Sequence, residues 1–406
     1  MVDASQVTEI RRRMAFETAR TEPPDGFPTL PDIPLGRYTD PDLFQLELDR
    51  VFKRSWLFAL HASELTEVGS YRLLDIPLAP VLVVCGADGE LRAFMNACRH
   101  RGAPVVRDVE GITRLLVCQY HSWSYDLEGR LVRVPDERDF VGLCKEDRGL
   151  VEVRCEQWGG FVFVNLDNDA PSLVHWLAPL IHRIPEIADA PLRVVSRKSY
   201  DVGCNWKIMA EGFLEVYHAK TIHRSTVAET LDSAGAVMEL LANGHTAMIT
   251  PYSEKALLSG RDSVAGLPRI PGIGELFWTT NPAYGIFPNL ITPLEAAGFP
   301  FLLFWPLAIN RTRLDVVWFG VDWGSDARPE RWDKRLTGFD VVMDEDMANL
   351  EPIQRSVEAA AHTGIPLNYQ ERRIWHVHAA LDSMIGRSSI PEALQVPDLL
   401  AHYVEA

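Results

Sequence analysis

The sequence predicts an α+β protein, with a small all-β domain followed by a larger domain of helices and antiparallel strands. Its length of 406 residues is more than a single hydrophobic core usually serves, so two domains are expected. Residues 58–166 contain short apolar segments at strand-like spacing, separated by Gly, Pro or Asp. In residues 167–406, helical and strand patterns alternate less regularly. We therefore place the domain boundary after residue 166.

Residues 1–57 are expected to form an N-terminal arm and a helix that pack on the larger domain. Residues 1–37 are polar and rich in proline, and the stretch TEPPDGFPTLPDIPLG within them is typical of an extended arm. Residues 41–57 place apolar side chains at helical intervals, namely Leu43, Phe44, Leu48, Val51 and Phe52.

The remaining elements are predicted segment by segment. The strands of the small domain are YRLLDI, PVLVVCG, ELRAFMNA, TRLLVCQY, LVEVRCEQW and GFVFVNL. In the larger domain SLVHWLAPLIHRI and NWKIMAEGFLEVYH predict helices, LRVVSRKSYDV predicts a strand, and FLLFWPLAI with RTRLDVVWFGVDW predicts a β-hairpin. A long helix is expected over residues 329–361, and residues 224–280 are expected to be rich in loops.

Composition excludes several classes of protein. Hydrophobic residues make up 47% and charged residues 24%, as in ordinary soluble globular proteins. The net charge of −16 argues against nucleic-acid binding, and no apolar run is long enough to span a membrane. The N-terminus has a basic cluster without the apolar core of a secretory signal. Because six cysteines are too few for a disulfide scaffold, we expect reduced thiols and a cytoplasmic location.

Two matched fragments, CRHRG and CQYHSW, predict a metal centre in the small domain. Cys98 and His100 are two positions apart, Cys118 and His121 are three apart, and seventeen residues separate the pairs. Zinc modules usually pair like ligands, as C-x2-C or H-x3-5-H, whereas each fragment here supplies one Cys and one His. A binuclear iron–sulfur cluster can take both thiolates on one iron and both imidazoles on the other, which raises its reduction potential.

The pattern C-x-H-x17-C-x2-H resembles the signature of Rieske [2Fe-2S] domains. Flanking residues also match that family, namely Arg99, Arg101, Gly102, Gln119, Tyr120 and Trp123. The resemblance implies a Rieske cluster held by Cys98, His100, Cys118 and His121. The other cysteines, Cys85, Cys144, Cys155 and Cys204, have no histidine at such spacing and are interpreted as small buried hydrophobic residues.

A second motif, in NWKIMAEGFLEVYHAKTIH, predicts a mononuclear metal site in the larger domain. Glu215 precedes His218 by three residues, and His218 precedes His223 by five. On a regular helix residues five apart are about 140° apart, so both imidazoles reach one ion only if the helix unwinds or bulges. Two histidines and one carboxylate are the ligands of non-haem Fe(II) oxygenases, which keep positions open for dioxygen.

This stretch resembles the catalytic α subunits of Rieske non-haem iron oxygenases, and the resemblance covers about residues 40–360. It implies a START-like, helix-grip catalytic domain with His218 and His223 as iron ligands. Asn205 begins the motif and is expected to be catalytic, together with Glu215. The family takes its third ligand from an Asp in a late helix, where Asp346 fits the spacing best and Asp344 is the alternative.

The resemblance also implies a homotrimer in which each cluster faces the iron of the next subunit. Glu215 would then join His218 to His121 of the partner subunit. Electrons would come from NAD(P)H only indirectly, through a separate reductase or ferredoxin. The presence of a β subunit is left open.

The substrate class is the least determined feature. Hydroxylation of a hydrophobic aromatic or alicyclic substrate with O2 is the first hypothesis, as mono- or dioxygenation. Monooxygenation or N-dealkylation of a quaternary ammonium compound is the alternative, because Glu215 stands where many members have Asp and so resembles members that act on such compounds. Gly212, where many members have Asn, is a second departure from the family pattern. A non-catalytic electron-transfer or sensing protein is a third hypothesis. Four aromatic residues are expected to line an apolar pocket, namely Phe213, Phe277, Trp278 and Phe287.

Overall fold

The computed structural model describes residues 4–259 and 266–405, which form two compact units. Phe52–Leu173 is the smaller unit, and the residues up to Val51 join those from Val174 onward in the larger one. The small domain predicted over 58–166 lies inside the smaller unit. An α+β fold with an all-β unit and a unit of helices and antiparallel strands confirms the predicted fold class. No helix in the described ranges is both long and apolar enough to cross a bilayer.

The N-terminal segment contributes three elements to the larger unit. They are α1 (Ala4–Ala19), β1 (Ile33–Pro34) and α2 (Pro41–Leu46). Asp40 begins α2 by accepting the backbone N–H groups of Asp42 and Leu43, and Pro41 occupies the first helical position. Arg13 of α1 donates to Glu239 at 2.7 Å, so the helix is attached to its own unit by a largely buried ion pair.

The smaller unit contains two antiparallel sheets. Its strands are β2 (Leu57–His61), β3 (Ser70–Leu74), β4 (Val81–Cys85), β5 (Leu91–Met95), β6 (Glu110–Ile112), β7 (Leu116–Val117), β8 (Ser124–Tyr125), β9 (Leu131–Arg133), β10 (Glu152–Trp158) and β11 (Phe161–Asn165). Seven strands have the order β2-β11-β10-β5-β4-β3-β6, and β7-β8-β9 form a small second sheet. Each of the six predicted strand segments contains a strand. Of the four cysteines outside the motif, Cys85 and Cys204 are buried as expected and Cys155 is half-buried, but Cys144 is exposed, so the expectation is wrong there.

The helices of the larger unit that follow are α3 (Leu173–Ile181), α4 (Pro185–Ala188), α5 (Trp206–Glu211), α6 (Ala219–Ile222), α7 (Glu254–Leu258), α8 (Leu276–Thr279), α9 (Arg331–Glu358) and α10 (Arg372–Ile385). The strands are β12 (Leu192–Val202), β13 (Val237–Leu241), β14 (Thr246–Pro251), β15 (Thr280–Ile286), β16 (Leu290–Pro293), β17 (Gly298–Ala308), β18 (Arg311–Val321), β19 (Gly364–Ile365) and β20 (Val404–Glu405). Eight of them form one sheet, β12-β18-β17-β16-β15-β14-β13-β20, and β1 pairs with β19.

Three sequence-based expectations for helices and loops are wrong in part. The helix expected over residues 41–57 is α-helical only as far as Leu46, and a π-helical turn, Glu47–Val51, and a 3-10 turn, Phe52–Arg54, follow it. The segment 224–280, expected to be rich in loops, contains β13, β14 and two short helices. All five residues of β13 are buried, so it lacks the alternation that reveals a half-buried strand. The helix expected over 205–218 ends at Glu211, and a non-helical stretch follows.

Candidate metal centres

Two loops of the smaller unit repeat one backbone pattern around Cys98 and Cys118. Each cysteine N–H donates to the carbonyl five residues later, at 2.8 and 2.9 Å, and each cysteine carbonyl accepts the N–H four residues later. Those later residues, Gly102 and Ser122, have positive φ angles of 73° and 58°. Glycine adopts this conformation freely, whereas a serine there must be held by its surroundings. The fragments matched in sequence are therefore matched turns in space.

The two thiols are buried, and one of them receives a hydrogen bond. Cys98 and Cys118 are 3% and 2% exposed. Tyr125 Oη accepts the Arg99 N–H at 2.9 Å and lies 3.2 Å from Cys98 Sγ, so its own hydrogen is free to donate to the sulfur. Asn96 fixes the base of the first loop by accepting two backbone N–H groups.

The two imidazoles lie together at the tips of these loops. The rings of His100 and His121 have centroids 4.6 Å apart, and His100 stacks on Trp123 with an interplanar angle of 9°. Burial, followed by the charges of His121 and Arg101, lowers the pKa of His100. A low pKa favours the neutral imidazole that binds a metal.

The donor set fits a binuclear cluster better than a single zinc ion. A mononuclear zinc site needs four donors within about 2.3 Å of one point. Among the residues described, three or more candidate donor atoms converge within 4.8 Å at one place only, and it lies in the larger unit. Two buried thiols and two paired imidazoles instead suit the two irons of a [2Fe-2S] cluster.

The converging group consists of His218, His223 and Asp346. His218 immediately precedes α6 and His223 immediately follows it, so a four-residue helix separates them. Their ring centroids are 5.1 Å apart. Because the chain leaves the helix before His218, the 140° divergence expected on a continuous helix of about 3.6 residues per turn does not arise.

Asp346 of α9 completes the group. Its Oδ1 lies 3.0 Å from His223 Nε2 and 3.7 Å from His218 Nε2. Two imidazole nitrogens and a carboxylate oxygen at these separations match a 2-His-1-carboxylate iron site. Asp344, the alternative ligand, is exposed and is not part of the converging group.

The outer nitrogens of both histidines contact glutamates. Glu215 Oε1 contacts His218 Nδ1, and Glu345 Oε2 lies 2.7 Å from His223 Nδ1. Burial alone lowers the pKa of His223, but the hydrogen bonds and charges of Asp346 and Glu345 outweigh it, so that pKa is raised. The site therefore concentrates negative charge, which suits a divalent cation.

Comparisons with known proteins agree with both centres. Residues 55–152 match the family described as Rieske [2Fe-2S] domain, and residues 190–387 match the ring hydroxylating alpha subunit (catalytic domain). The chain belongs to the Rieske non-haem iron oxygenase α subunits. The predicted cofactors, a Rieske cluster and a mononuclear iron, are those of the two matched domains.

The relatives of this α subunit have names that state different reactions and substrates. The chain is 37% identical to the biphenyl 2,3-dioxygenase subunit alpha of Rhodococcus jostii (strain RHA1), covering 50% of this chain and 46% of that protein. It thus spans about half the length of such relatives. It is 26% identical to the glycine betaine monooxygenase oxygenase subunit of Pseudomonas aeruginosa (strain UCBPP-PA14), covering 81% and 83%. A crystal structure of a quaternary ammonium Rieske monooxygenase with an inhibitor is 19% identical, with a TM-score of 0.74 over 90% of this chain and 99% of that one.

The Asn-Trp-Lys residues of this α subunit have buried structural contacts. Asn205 accepts the Lys207 N–H and donates to the carbonyls of Tyr38 and Ile309, so it begins α5 as a capping residue. Trp206 Nε1 and Lys207 Nζ both donate to Glu47, at 2.8 and 2.7 Å. These contacts support positioning of α5, rather than contact with substrate, as the role of Asn205.

A second buried network lies at the other end of α5. His378 Nδ1 accepts from Arg37 Nε at 2.8 Å, so its hydrogen lies on Nε2, which donates to Glu211 Oε1 at 2.9 Å. Tyr38 also donates to Glu211. Burial raises the pKa of Glu211 to about 8, against the opposing effects of Tyr38 and Lys207.

The four predicted pocket residues have separate contacts in the structure. Phe213 packs on Phe304 with centroids 5.5 Å apart, and Phe277 is buried in α8. The Arg269 guanidinium lies over the Trp278 ring, with its carbon 3.9 Å from the ring centroid. Phe287 lines a cavity of about 20 Å³, which holds at most one water molecule.

A larger cavity, of about 400 Å³, adjoins the iron site. It is lined by Thr226, which donates to Glu345, and by Val342, which is one helical turn before Asp346. Its aromatic lining residues are Tyr252, Trp318 and Phe339. Sequence reasoning missed this lining, although Phe339, Val342 and Asp346 share helical spacing i, i+3, i+7 that places them on one face of α9.

Proposed function

We propose that this chain is the oxygenase component of a Rieske-type mono- or dioxygenase that hydroxylates a hydrophobic aromatic or alicyclic substrate. Electrons would reach it from NAD(P)H through a separate reductase or ferredoxin. The observation that carries the proposal is the convergence of His218, His223 and Asp346 in a chain that also contains the two cysteine–histidine loops. An electron carrier has no use for a 2-His-1-carboxylate site, which is typical of oxygen-activating enzymes.

The roles of the chain's own residues follow from their contacts. When bound, the cluster supplies electrons singly and the mononuclear iron activates dioxygen. Cys98, Cys118, His100 and His121 would hold the cluster, and His218, His223 and Asp346 would hold the iron. The cavity of about 400 Å³ is large enough for a one- or two-ring substrate and has apolar and aromatic walls.

Charge at this cavity favours a neutral hydrophobic substrate over a quaternary ammonium compound. The Arg335 guanidinium lies 4.9 Å from the centroid of Trp318, so a cation already occupies the neighbourhood of that ring. Arg331 and Lys334 line the same cavity, whose lining also includes one carboxylate, Glu295, paired with Arg335 at 2.8 Å, so positive charge remains in excess. A quaternary ammonium bound by cation–π attraction to Trp318 would be placed beside like charge. Glu215 and the long match to the glycine betaine monooxygenase subunit support the ammonium compound as the second candidate.

A homotrimer would supply the path between cluster and iron. A carboxylate offers about four acceptor positions, and Glu215 uses three within the chain, for His218 Nδ1 and the N–H groups of Tyr217 and His218. One position remains for His121 of the partner subunit. Within the chain His121 and Tyr217 are exposed, as this contact requires.

Dioxygen uptake with an added reductase and NADH tests the proposal. The panel should contain monocyclic and bicyclic aromatics, alicyclic compounds and quaternary amines of similar size. We expect uptake coupled to hydroxylated product for an aromatic or alicyclic member. Aldehyde release from a quaternary amine, without turnover of the rings, would favour the second candidate. A reducible cluster with no substrate-dependent uptake would show a non-catalytic electron-transfer protein.

A further inference from the structure

The two glutamates at the iron site reach their histidines from different parts of the chain. Glu215 is three residues before His218, on the same segment. Glu345 is 122 residues from His223 and belongs to α9. The next residue of α9, Asp346, contacts the other nitrogen of His223 at 3.0 Å. Consecutive residues of one helix therefore contact both ring nitrogens of His223.

We infer that Glu345 is a positioning residue of the iron site, which fixes the tautomer and orientation of His223. The inference rests on the proposed iron site. A carboxylate on Nδ1 keeps the hydrogen there, so Nε2 presents its lone pair to the metal. The negative charge also makes the imidazole a stronger electron donor. Glu345 thus performs for His223, from α9, the orienting function that Glu215 performs locally for His218.

Glu345 is itself held in place by Thr226. Thr226 Oγ1 donates to Glu345 Oε2 at 2.6 Å, and the same oxygen lies 2.7 Å from His223 Nδ1. One oxygen therefore meets two donors, which restrains a side chain that is still 25% exposed. Thr226 Oγ1 also lies 3.4 Å from the His223 carbonyl. His223, Thr226 and Glu345 form a closed set that borders the 400 Å³ cavity through Thr226.

Binding of Co²⁺ to full-length protein that keeps its cluster but has lost its mononuclear iron measures this function directly. Replacing a residue that orients a metal-binding histidine typically weakens metal binding by roughly 10–100-fold. We expect a loss in that range for Glu345→Ala and a changed visible absorption spectrum of the bound Co²⁺. Glu345→Gln keeps the acceptor oxygen and loses the charge, so it should recover much of the affinity. Thr226→Val should give a smaller loss than Glu345→Ala.

The control is Asp344→Asn, which removes one negative charge from the preceding, exposed position of α9. It should bind Co²⁺ like the parent, with the same spectrum. Parental affinity and spectrum in Glu345→Ala would overturn the inference. If that variant does not fold, parental Co²⁺ binding in both Glu345→Gln and Thr226→Val would overturn it. A parent protein that binds no Co²⁺ would instead refute the proposed iron site, so the two failures are distinguishable.

Discussion

The two metal centres of this chain are built in opposite ways. The cluster loops use two self-similar turns within a short stretch, each closed by hydrogen bonds of its own backbone. The iron site joins a loop to a helix more than a hundred residues later, and carboxylates provide its outer contacts. The cluster environment is mostly apolar and aromatic, with buried thiols and a histidine stacked on Trp123.

The charges around the histidines also differ between the two centres. The pKa of His100 is lowered by burial and neighbouring positive charge, whereas that of His223 is raised because Asp346 and Glu345 outweigh its burial. Apolar surroundings with neighbouring positive charge suit a cluster that must be reduced readily, and anionic surroundings suit the retention of a divalent ion. The comparison teaches that the two proposed centres differ in local charge as well as in the unit that contains them.

Removal of an iron ligand should separate the two centres most sharply. His218→Ala, His223→Ala and Asp346→Ala should each abolish turnover, because two protein donors do not retain the ion. The cluster spectrum should remain, because its ligands lie in the other unit. Iron content and visible absorption of the same samples provide the check.

The matched control for this set is again Asp344→Asn on α9. It should keep iron and turnover, since Asp344 is exposed and outside the converging group. Loss of iron in this control with retention in Asp346→Ala would move the ligand to position 344.

The same contrast explains what the sequence revealed. The cluster motif is local, so the spacing of Cys98, His100, Cys118 and His121 suffices to predict a metal centre. The iron site requires a contact between His223 and α9, which no local period encodes. Asp346 was predicted only through family resemblance. Asp344, Glu345 and Asp346 are consecutive acidic residues of α9, and what distinguishes them is the direction in which each projects from the helix.

Other parts of the site were beyond local patterns. Glu345 and Thr226 meet across elements, so neither stands out in sequence. The pocket residues Phe277 and Phe287 were chosen for their apolar character, which core residues share, and both are buried away from the larger cavity's lining. The helix over 205–218 was wrong beyond Glu211 because its apolar spacing continues where the backbone leaves the helix.

Glu215→Gln tests whether the centres, built separately, communicate through one carboxylate. Glutamine keeps the size but replaces one acceptor oxygen by a donor, which would face either His218 or His121 of the partner subunit. We expect electron transfer into the iron site to collapse while both metals stay bound. Single-turnover mixing of pre-reduced protein with dioxygen and substrate measures it. Cluster reoxidation at the parental rate would exclude Glu215 as the bridge.

A smaller effect is expected from the hydroxyl that Tyr125 directs at the sulfur of Cys98. Tyr125→Phe removes the hydrogen bond to Cys98 Sγ, which stabilises the reduced cluster. Hydrogen bonds to charged groups are worth roughly 1.5–3 kcal/mol, and about 1.4 kcal/mol corresponds to roughly 59 mV for one electron. The reduction potential should therefore fall by tens of millivolts, up to about 100 mV. Tyr71→Phe, in the same core cluster, is the control for a redox titration, and equal potentials would contradict this role.

The buried carboxyl of Glu211, at the end of α5, should also appear in the pH dependence of stability. The pKa of Glu211 is about 8 in the folded chain, above its ordinary value of 4.5. Between these values the folded chain retains a proton that the unfolded chain releases. This contribution is complete below pH 4.5 and is lost as the pH rises through 8, by at most about 1.4 kcal/mol per pH unit for one proton.

Glu211→Gln removes this titration, because an amide does not ionise. The thermal midpoint of the catalytic unit should therefore fall less between pH 5.5 and pH 8 in the variant than in the parent. This pH range lies within the window of about 4.5 to 8 in which the proton on Glu211 stabilises the folded parent. Glu254→Gln, at an exposed position of α7, should keep the parental dependence. Since the cluster unit contains none of this network, the spectrum of its cluster should report the same stability in both proteins. Parallel pH profiles for Glu211→Gln and the parent would show that Glu211 is ionised in the folded chain, and that the buried network at the end of α5 contains a carboxylate rather than a neutral carboxyl.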